Sequence, residues 1–300
     1  MSSDLIPADV RARLKAFRLQ ARRISGAQGI GQHQSRSRGA GLEFAQYRAY
    51  EPGDEPRQID WKLYARSDKF FVREAERDSP LIVWCLIDAT ASMAQSDAAR
   101  PEWSRLQAAK ALTACVIELA LKQGDRFGLI AVNDKGLVVV NAGSGTRHRD
   151  QCLLELHKLK AQGHWPNESQ CRPIWERIGA NTLVLLLSDD YDEACVSLAE
   201  RLAVARREVL SVQILTAEER DFPFQGGHRF RDAETDTELL TDAAASRAGF
   251  IEQFSAAKRM LAARFAASGI HHVDYILDQP LDMPLRKFFL PRTSRHQESV

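Results

Sequence analysis

Residues 81–92, Leu-Ile-Val-Trp-Cys-Leu-Ile-Asp-Ala-Thr-Ala-Ser, constrain the fold more than any other stretch of this chain. Seven apolar residues, rich in branched side chains, run without interruption into Asp88, and Thr90 and Ser92 follow at alternate positions. An apolar run this short and continuous suits a strand buried on both faces, as at the centre of a parallel sheet. Ligands of such sheets bind beyond the carboxyl ends of the strands. One carboxylate and two hydroxyls are therefore delivered, on one loop, to the place where an α/β domain works. All three groups offer oxygen, the donor that a hard cation such as Mg²⁺ or Mn²⁺ prefers. The plainer role for the same residues is a polar loop that caps the next helix.

From residue 80 onward, strand and helix patterns alternate. After the central strand comes a helix at 101–123, with Leu106, Ala109, Leu112, Val116, Leu119 and Ala120 on its apolar face. A second apolar strand at 127–132 meets the tight turn Asn133-Asp134-Lys135-Gly136 and returns antiparallel at 137–140. A helix at 148–161, a polar loop at 163–169 and a short helix follow, then a third buried strand at 182–187 that ends in Ser188-Asp189-Asp190. A helix at 192–206, a strand at 209–215, a helix at 243–267, a strand at 273–277 and a closing helix at 281–290 complete the series. Residues 221–242 read as an inserted β-hairpin, and 291–300 as a polar tail. Right-handed crossovers place these strands in one mostly parallel sheet with helices on both faces and an antiparallel edge. The strand ending at Leu187 then lies beside the central one, and Asp189 reaches the same crevice as Asp88. The order, with its antiparallel strand directly after the second strand, resembles a von Willebrand factor A domain. The pattern Asp88-x-Thr90-x-Ser92 is similar to the metal-ion-dependent adhesion site (MIDAS) of such domains, with Thr for the first Ser.

Ahead of this domain, residues 7–25 read as a basic amphipathic helix: Val10, Leu14, Phe17, Ala21 and Ile24 recur at helical spacing among Arg11, Arg13, Lys15, Arg18, Arg22 and Arg23. Such a helix docks by its apolar stripe, or else seeks anionic membrane, nucleic acid or an acidic partner. Residues 26–42 hold five glycines and almost nothing apolar, the composition of a linker. Alternating patterns predict strands at 43–50 and 69–76, with a turn at 51–54 and an ambiguous stretch at 59–65 between them. Residues 1–42, 43–79, 80–290 and 291–300 are thus the expected divisions, the second packed on the third.

Arg48-Ala-Tyr50-Glu-Pro-Gly53-Asp54-Glu-Pro-Arg57-Gln-Ile-Asp60-Trp61, followed by Ala65-Arg66 and Val72-Arg73-Glu74, closely resembles the signature of the domain-of-unknown-function 58 family. Residues 183–189, 221–224 and 230–235 agree with it, so the likeness covers about 38–290. The resemblance implies a von Willebrand factor A-like domain with added segments, in a short form without the transmembrane helices many relatives carry. It also implies work beside MoxR-type AAA+ ATPases and other von Willebrand factor A proteins, in maturation or assembly of other proteins. By the same resemblance Asp88, Thr90 and Ser92 match the first metal loop and Asp189 the third, with Asp190 and Asp192 as its substitutes. The second loop should offer a Thr; residues 163–169 contain none, and Ser169 is the available hydroxyl, with an N-cap as its alternative role.

Composition sets outer limits. With 300 residues, 44% apolar and 27% charged, the chain has the means for a large core, and a net charge of +1 gives no general drive toward nucleic acid or membrane. The five cysteines show no C-x-x-C pair, which favours buried thiols in a reducing compartment. With no signal-peptide pattern and no membrane-length apolar run, a cytoplasmic protein is expected. A phosphatase using Asp88 as nucleophile would need a carboxylate two residues on, where Thr90 stands. Ser92 lacks a Gly-x-Ser-x-Gly elbow, no Walker A sequence is present, and His271-His272 would point to opposite faces of a strand. Trp61 and Trp165 read as packing residues first and as interface anchors second. The expectation is a non-enzymatic interaction module that holds Mg²⁺ or Mn²⁺ and binds an acidic residue of its partner through it. A metal-dependent hydrolase using Asp88 and a basic-helix nucleic-acid or membrane-surface binder are the alternatives.

Overall fold

The computed structural model describes residues 5–20, 44–51, 56, 59–75, 80–231 and 237–290. Two compact units are distinguished, one of Gln28–Pro80 and one of Met1–Ala27 with Leu81–Val300. In the small unit β1 (Phe44–Ala49) pairs antiparallel with β2 (Phe71–Ala75), Arg48 standing opposite Val72. The ambiguous stretch between them is a helix, Trp61–Ser67, whose start is set by Asp60. The Asp60 carboxylate accepts from the backbone N–H of Lys62 at 2.9 Å and of Leu63 at 3.0 Å, meeting two donors the helix itself leaves free. Phe70 stacks on Tyr64 with centroids 4.5 Å apart, and Tyr50 lies 6.2 Å from Phe70. Trp61 is not a packed residue: it is 58% exposed, edge-on to Tyr64 and Phe70. Arg66 is exposed; Gly53, Asp54 and Arg57 of the signature lie outside the described residues, as does the side chain of Arg48. Loss of such a cap costs about 1 kcal/mol. Asp60→Ala should therefore speed hydrogen exchange across residues 61–67 while leaving the large unit's amides unchanged, and Asp60→Asn should restore protection.

The large unit is built on a sheet of six strands: β3 (Ile82–Asp88), β4 (Arg126–Asn133), β5 (Gly136–Gly143), β6 (Leu183–Ser188), β7 (Glu208–Leu215) and β10 (His271–Ile276). Their order is β10-β7-β6-β3-β4-β5, every neighbour parallel except β4 and β5. The architecture is therefore α/β, von Willebrand factor A-like and mostly parallel, with β3 at the centre.

Alternation along β3 feeds two cores. Val83, Cys85 and Ile87 share one core with α3 (Arg105–Gln123), α4 (Thr146–Lys158) and α9 (Met283–Phe289). Trp84 and Leu86 share the other with α5 (Glu168–Arg177) and α6 (Glu193–Val204), where Trp165 is buried as a packing residue. The Trp84 ring needs Gly128 on the next strand, since a Cβ there would stand 2.6 Å from it. All five cysteines are buried and free.

The expected helix at 7–25 is shorter. Residues Ala8–Arg13 form α1, a 3₁₀ turn covers Leu14–Ala16, and Phe17 is already extended. The chain is drawn out because Leu19 trades two hydrogen bonds with the Gln123 side chain at the end of α3, at 2.8 and 3.2 Å. Val10, Leu14 and Phe17 are buried in the first core, so the apolar stripe is used within the fold. Arg13 anchors it through a buried carboxylate, Asp282, at 2.9 Å. Ala21 and Ile24 lie outside the described residues. Within 221–242 the expected hairpin is present as β8 (Gly227–Arg231) and β9 (Glu238–Asp242), ahead of α8 (Ala243–Ala267). A one-turn helix, α7 (Ala217–Asp221), precedes it. Among the described residues no helix is long and apolar enough to cross a membrane.

Candidate functional site at the carboxyl edge

Asp88 is the last residue of the central strand and is 2% exposed. Its Oδ1 accepts from the Thr90 backbone N–H at 2.9 Å and from Thr90 Oγ1 at 2.7 Å, and its Oδ2 from Ser188 Oγ on β6 at 2.7 Å. Thr90 Oγ1 lies 3.1 Å from Ser92 Oγ. The three residues of the sequence pattern are thus brought together. Burial pushes the Asp88 carboxyl up, to about 7, with Asp189 adding to the rise; hydrogen bonds from Ser188 and Thr90 act the other way.

Asp189 follows β6 at the same edge and is equally buried, but its charge is already met. Arg105, the first residue of α3 and 0% exposed, donates from Nη1 to Asp189 Oδ2 at 2.7 Å and to the Ser92 carbonyl at 3.2 Å. Its Nη2 donates to Glu219 Oε1, and its guanidinium lies 5.3 Å from the Tyr191 ring centroid. Glu219 also closes a capping box with Thr216 at the start of α7 and accepts from the Tyr191 hydroxyl at 2.7 Å. Arg105 therefore ties together the loops after β3, β6 and β7.

The second loop does not supply its ligand. It meets the Asp88 loop through its backbone: the Gly163 carbonyl accepts from Ala91 N–H at 2.8 Å and Gln162 N–H donates to the Ala89 carbonyl at 2.9 Å. The φ of Gly163, +70°, is a backbone conformation that side chains rarely adopt, and a Cβ there would displace the Asp134 carboxylate. Ser169 sits in the first turn of α5, exposed, with its hydroxyl donating to the cap residue Asn167 at 2.6 Å. Of the five expected residues, Asp88, Thr90 and Ser92 are hydrogen-bonded together, Asp189 stands at the same edge with its Oδ2 on Arg105, and Ser169 is held by Asn167. A divalent ion shared between the first three and Asp189 would lie against a buried guanidinium. As arranged, the residues do not fit such an ion.

Arg105 and Glu219 are the residues that sequence reasoning missed. A second missed chain runs from Asp190 through Ser211 (3.1 Å) and His272 (3.2 Å) to Asp274 (3.1 Å), which Lys258 holds at 2.7 Å. Its Ser-His-Asp order resembles a hydrolytic triad, but Ser211 is 0% exposed in the middle of β7 and meets no substrate. Asp190 is also buried, with its Oδ1 unpartnered among the described residues, and burial pushes its carboxyl well up.

Similar proteins agree with the family signature. Uncharacterized proteins of Mycobacterium bovis (Mb1516) and Mycobacterium tuberculosis (Rv1480) are each 26% identical over 212 residues, covering 68% of this chain and 65% of theirs. The chain therefore spans somewhat less than two thirds of those relatives. Among solved structures, an aerotolerance-related membrane protein from Bacteroides fragilis is 13% identical, with a TM-score of 0.42 over 69% of this chain and 96% of its own. The SpRpn10 VWA domain is 13% identical, with a TM-score of 0.40 over 70% and 95%. Residues 46–260 match the family described as "Protein of unknown function DUF58", and the chain belongs to that family.

Proposed function

We propose that this chain is a protein-interaction module, without chemistry of its own, that binds its partner on the carboxyl edge around Asp88 and Tyr191. One observation carries the reading: Tyr191 is 52% exposed at that edge, and its ring is braced from beneath by the buried guanidinium of Arg105. Its hydroxyl is fixed on Glu219 as well, so the ring loses little freedom when a partner covers it. Tyr is among the residues enriched at binding hot spots. The partner we propose, from the family resemblance, is a MoxR-type AAA+ ATPase, acting with other von Willebrand factor A proteins in maturation or assembly of client proteins.

A second reading gates the same contact by Mg²⁺ or Mn²⁺ and an acidic residue of the partner. The hydroxyls of Thr90 and Ser92, 3.1 Å apart beside Asp88, favour it. Surface plasmon resonance with a purified MoxR-type ATPase tests both. Tyr191→Ala should weaken binding about tenfold or more, the loss typical of an anchor. Leu154→Ser, at an exposed apolar residue of α4, should leave it unchanged. Equal losses in the two variants would reject the edge as the docking surface, and loss of binding on chelation would favour the second reading.

A further inference from the structure

We infer that the guanidinium of Arg105 is the resident cation of the carboxyl edge, holding together without metal the loops that a divalent ion would otherwise bridge. This deepens the proposed function, because the docking edge is then formed permanently and is not gated by an ion. The bridging runs through both terminal nitrogens, while the buried Nε has no hydrogen-bond partner among the described residues. Nη1 takes Asp189 Oδ2 at 2.7 Å and the Ser92 carbonyl at 3.2 Å, while Nη2 takes Glu219. Each of these acceptors belongs to a loop that follows a different strand of the sheet: β3, β6 or β7.

The position of this arginine is otherwise unfavourable. It is the first residue of α3, where the helix dipole disfavours a cation. It is also 0% exposed, and a guanidinium stays charged wherever it is placed. Only the carboxylates compensate, so they and the arginine form one unit. A divalent ion on Asp189 would have to displace that arginine or lie beside it. The geometry of the second loop agrees. Residues 163–169 meet the Asp88 loop through the Gly163 carbonyl, and their one hydroxyl, Ser169, is taken by Asn167.

The test needs no partner, so it fails or succeeds independently of the docking surface. Full-length protein freed of metal is titrated with Mn²⁺ by electron paramagnetic resonance, and its melting temperature is followed with Mg²⁺ and with chelator. Wild type should bind no Mn²⁺ up to millimolar concentration, and its melting temperature should not move. Arg105→Gln should gain a saturable Mn²⁺ site, which a second substitution, Asp189→Asn, removes. A wild type that binds one Mn²⁺ saturably and loses it in Asp88→Ala overturns the inference. So does a folded Arg105→Gln that gains nothing. If Arg105→Gln does not fold, the wild-type titration decides alone, bound Mn²⁺ against the inference and none for it.

Discussion

Arg105→Met should lower the unfolding free energy at neutral pH by about 3–5 kcal/mol, the range for deleting one partner of a buried ion pair. Methionine keeps most of the aliphatic volume, so the loss is chiefly electrostatic: Asp189 and Glu219, with side chains 3% and 19% exposed, are left without their cation. The pH dependence separates this from simple loss of packing. Burial pushes the Glu219 carboxyl up, but Arg105 outweighs it and holds the group below its ordinary value. A carboxylate depressed in the folded state contributes stability above its unfolded pKa and loses it as pH falls through the folded one. The gap between wild type and variant should therefore narrow below the ordinary glutamate range of about 4.3. Urea unfolding followed by circular dichroism at neutral and acid pH measures it. A gap under about 1 kcal/mol, the worth of an exposed pair, would mean that solvent reaches the arginine.

The sheet was legible because strands buried on both faces have little freedom in sequence. Apolar runs such as Val83–Ile87 and Leu183–Leu187 announce themselves, and the Asn133–Gly136 turn marks the one reversal. The meeting of Asp88, Thr90 and Ser92 followed from spacing alone. What pairs with them did not, because pairing across loops is a long-range property. Arg105 looked like any basic residue on a helix, and the available signal was its place beside the Ser104 cap, at the wrong end of a dipole. Glu219 was marked by Thr216-x-x-Glu219, a capping box that sequence reading passed over. Ser169, open between a hydroxyl ligand and an N-cap in the sequence, stands in the first turn because Asn167-x-x-Gln170 is also a capping box with Asn167 as the cap. The amino-terminal helix was read too long because its apolar spacing continues past Phe17, whereas Gln123 claims the backbone at Leu19.

Asp88→Asn should stabilise the chain at neutral pH. The Asp88 carboxyl is pushed up to about 7 by burial, then by Asp189, despite hydrogen bonds from Ser188 and Thr90. Unfolded, it titrates near about 3.9. Between those values the folded state binds the proton and the unfolded state does not, so stability falls as pH rises and levels off above the folded pKa. Three units correspond to about 4 kcal/mol at most. An asparagine carries no such penalty and still accepts from Thr90 through its oxygen. Its amide faces Ser188 Oγ, which already accepts from Asp190 N–H at 2.9 Å, so about 1 kcal/mol is returned. A net gain of about 3 kcal/mol is expected at about pH 8, turning into a loss of about 0.5–1 kcal/mol near about pH 4, where the titration gain has gone and the hydrogen-bond cost remains. Unfolding in chelator at both values reads it. A variant less stable than wild type at both would mean that the Asp88 carboxylate is ionised in the fold and held by its hydrogen bonds from Thr90 and Ser188, since the Arg105 guanidinium is committed to Asp189 and Glu219.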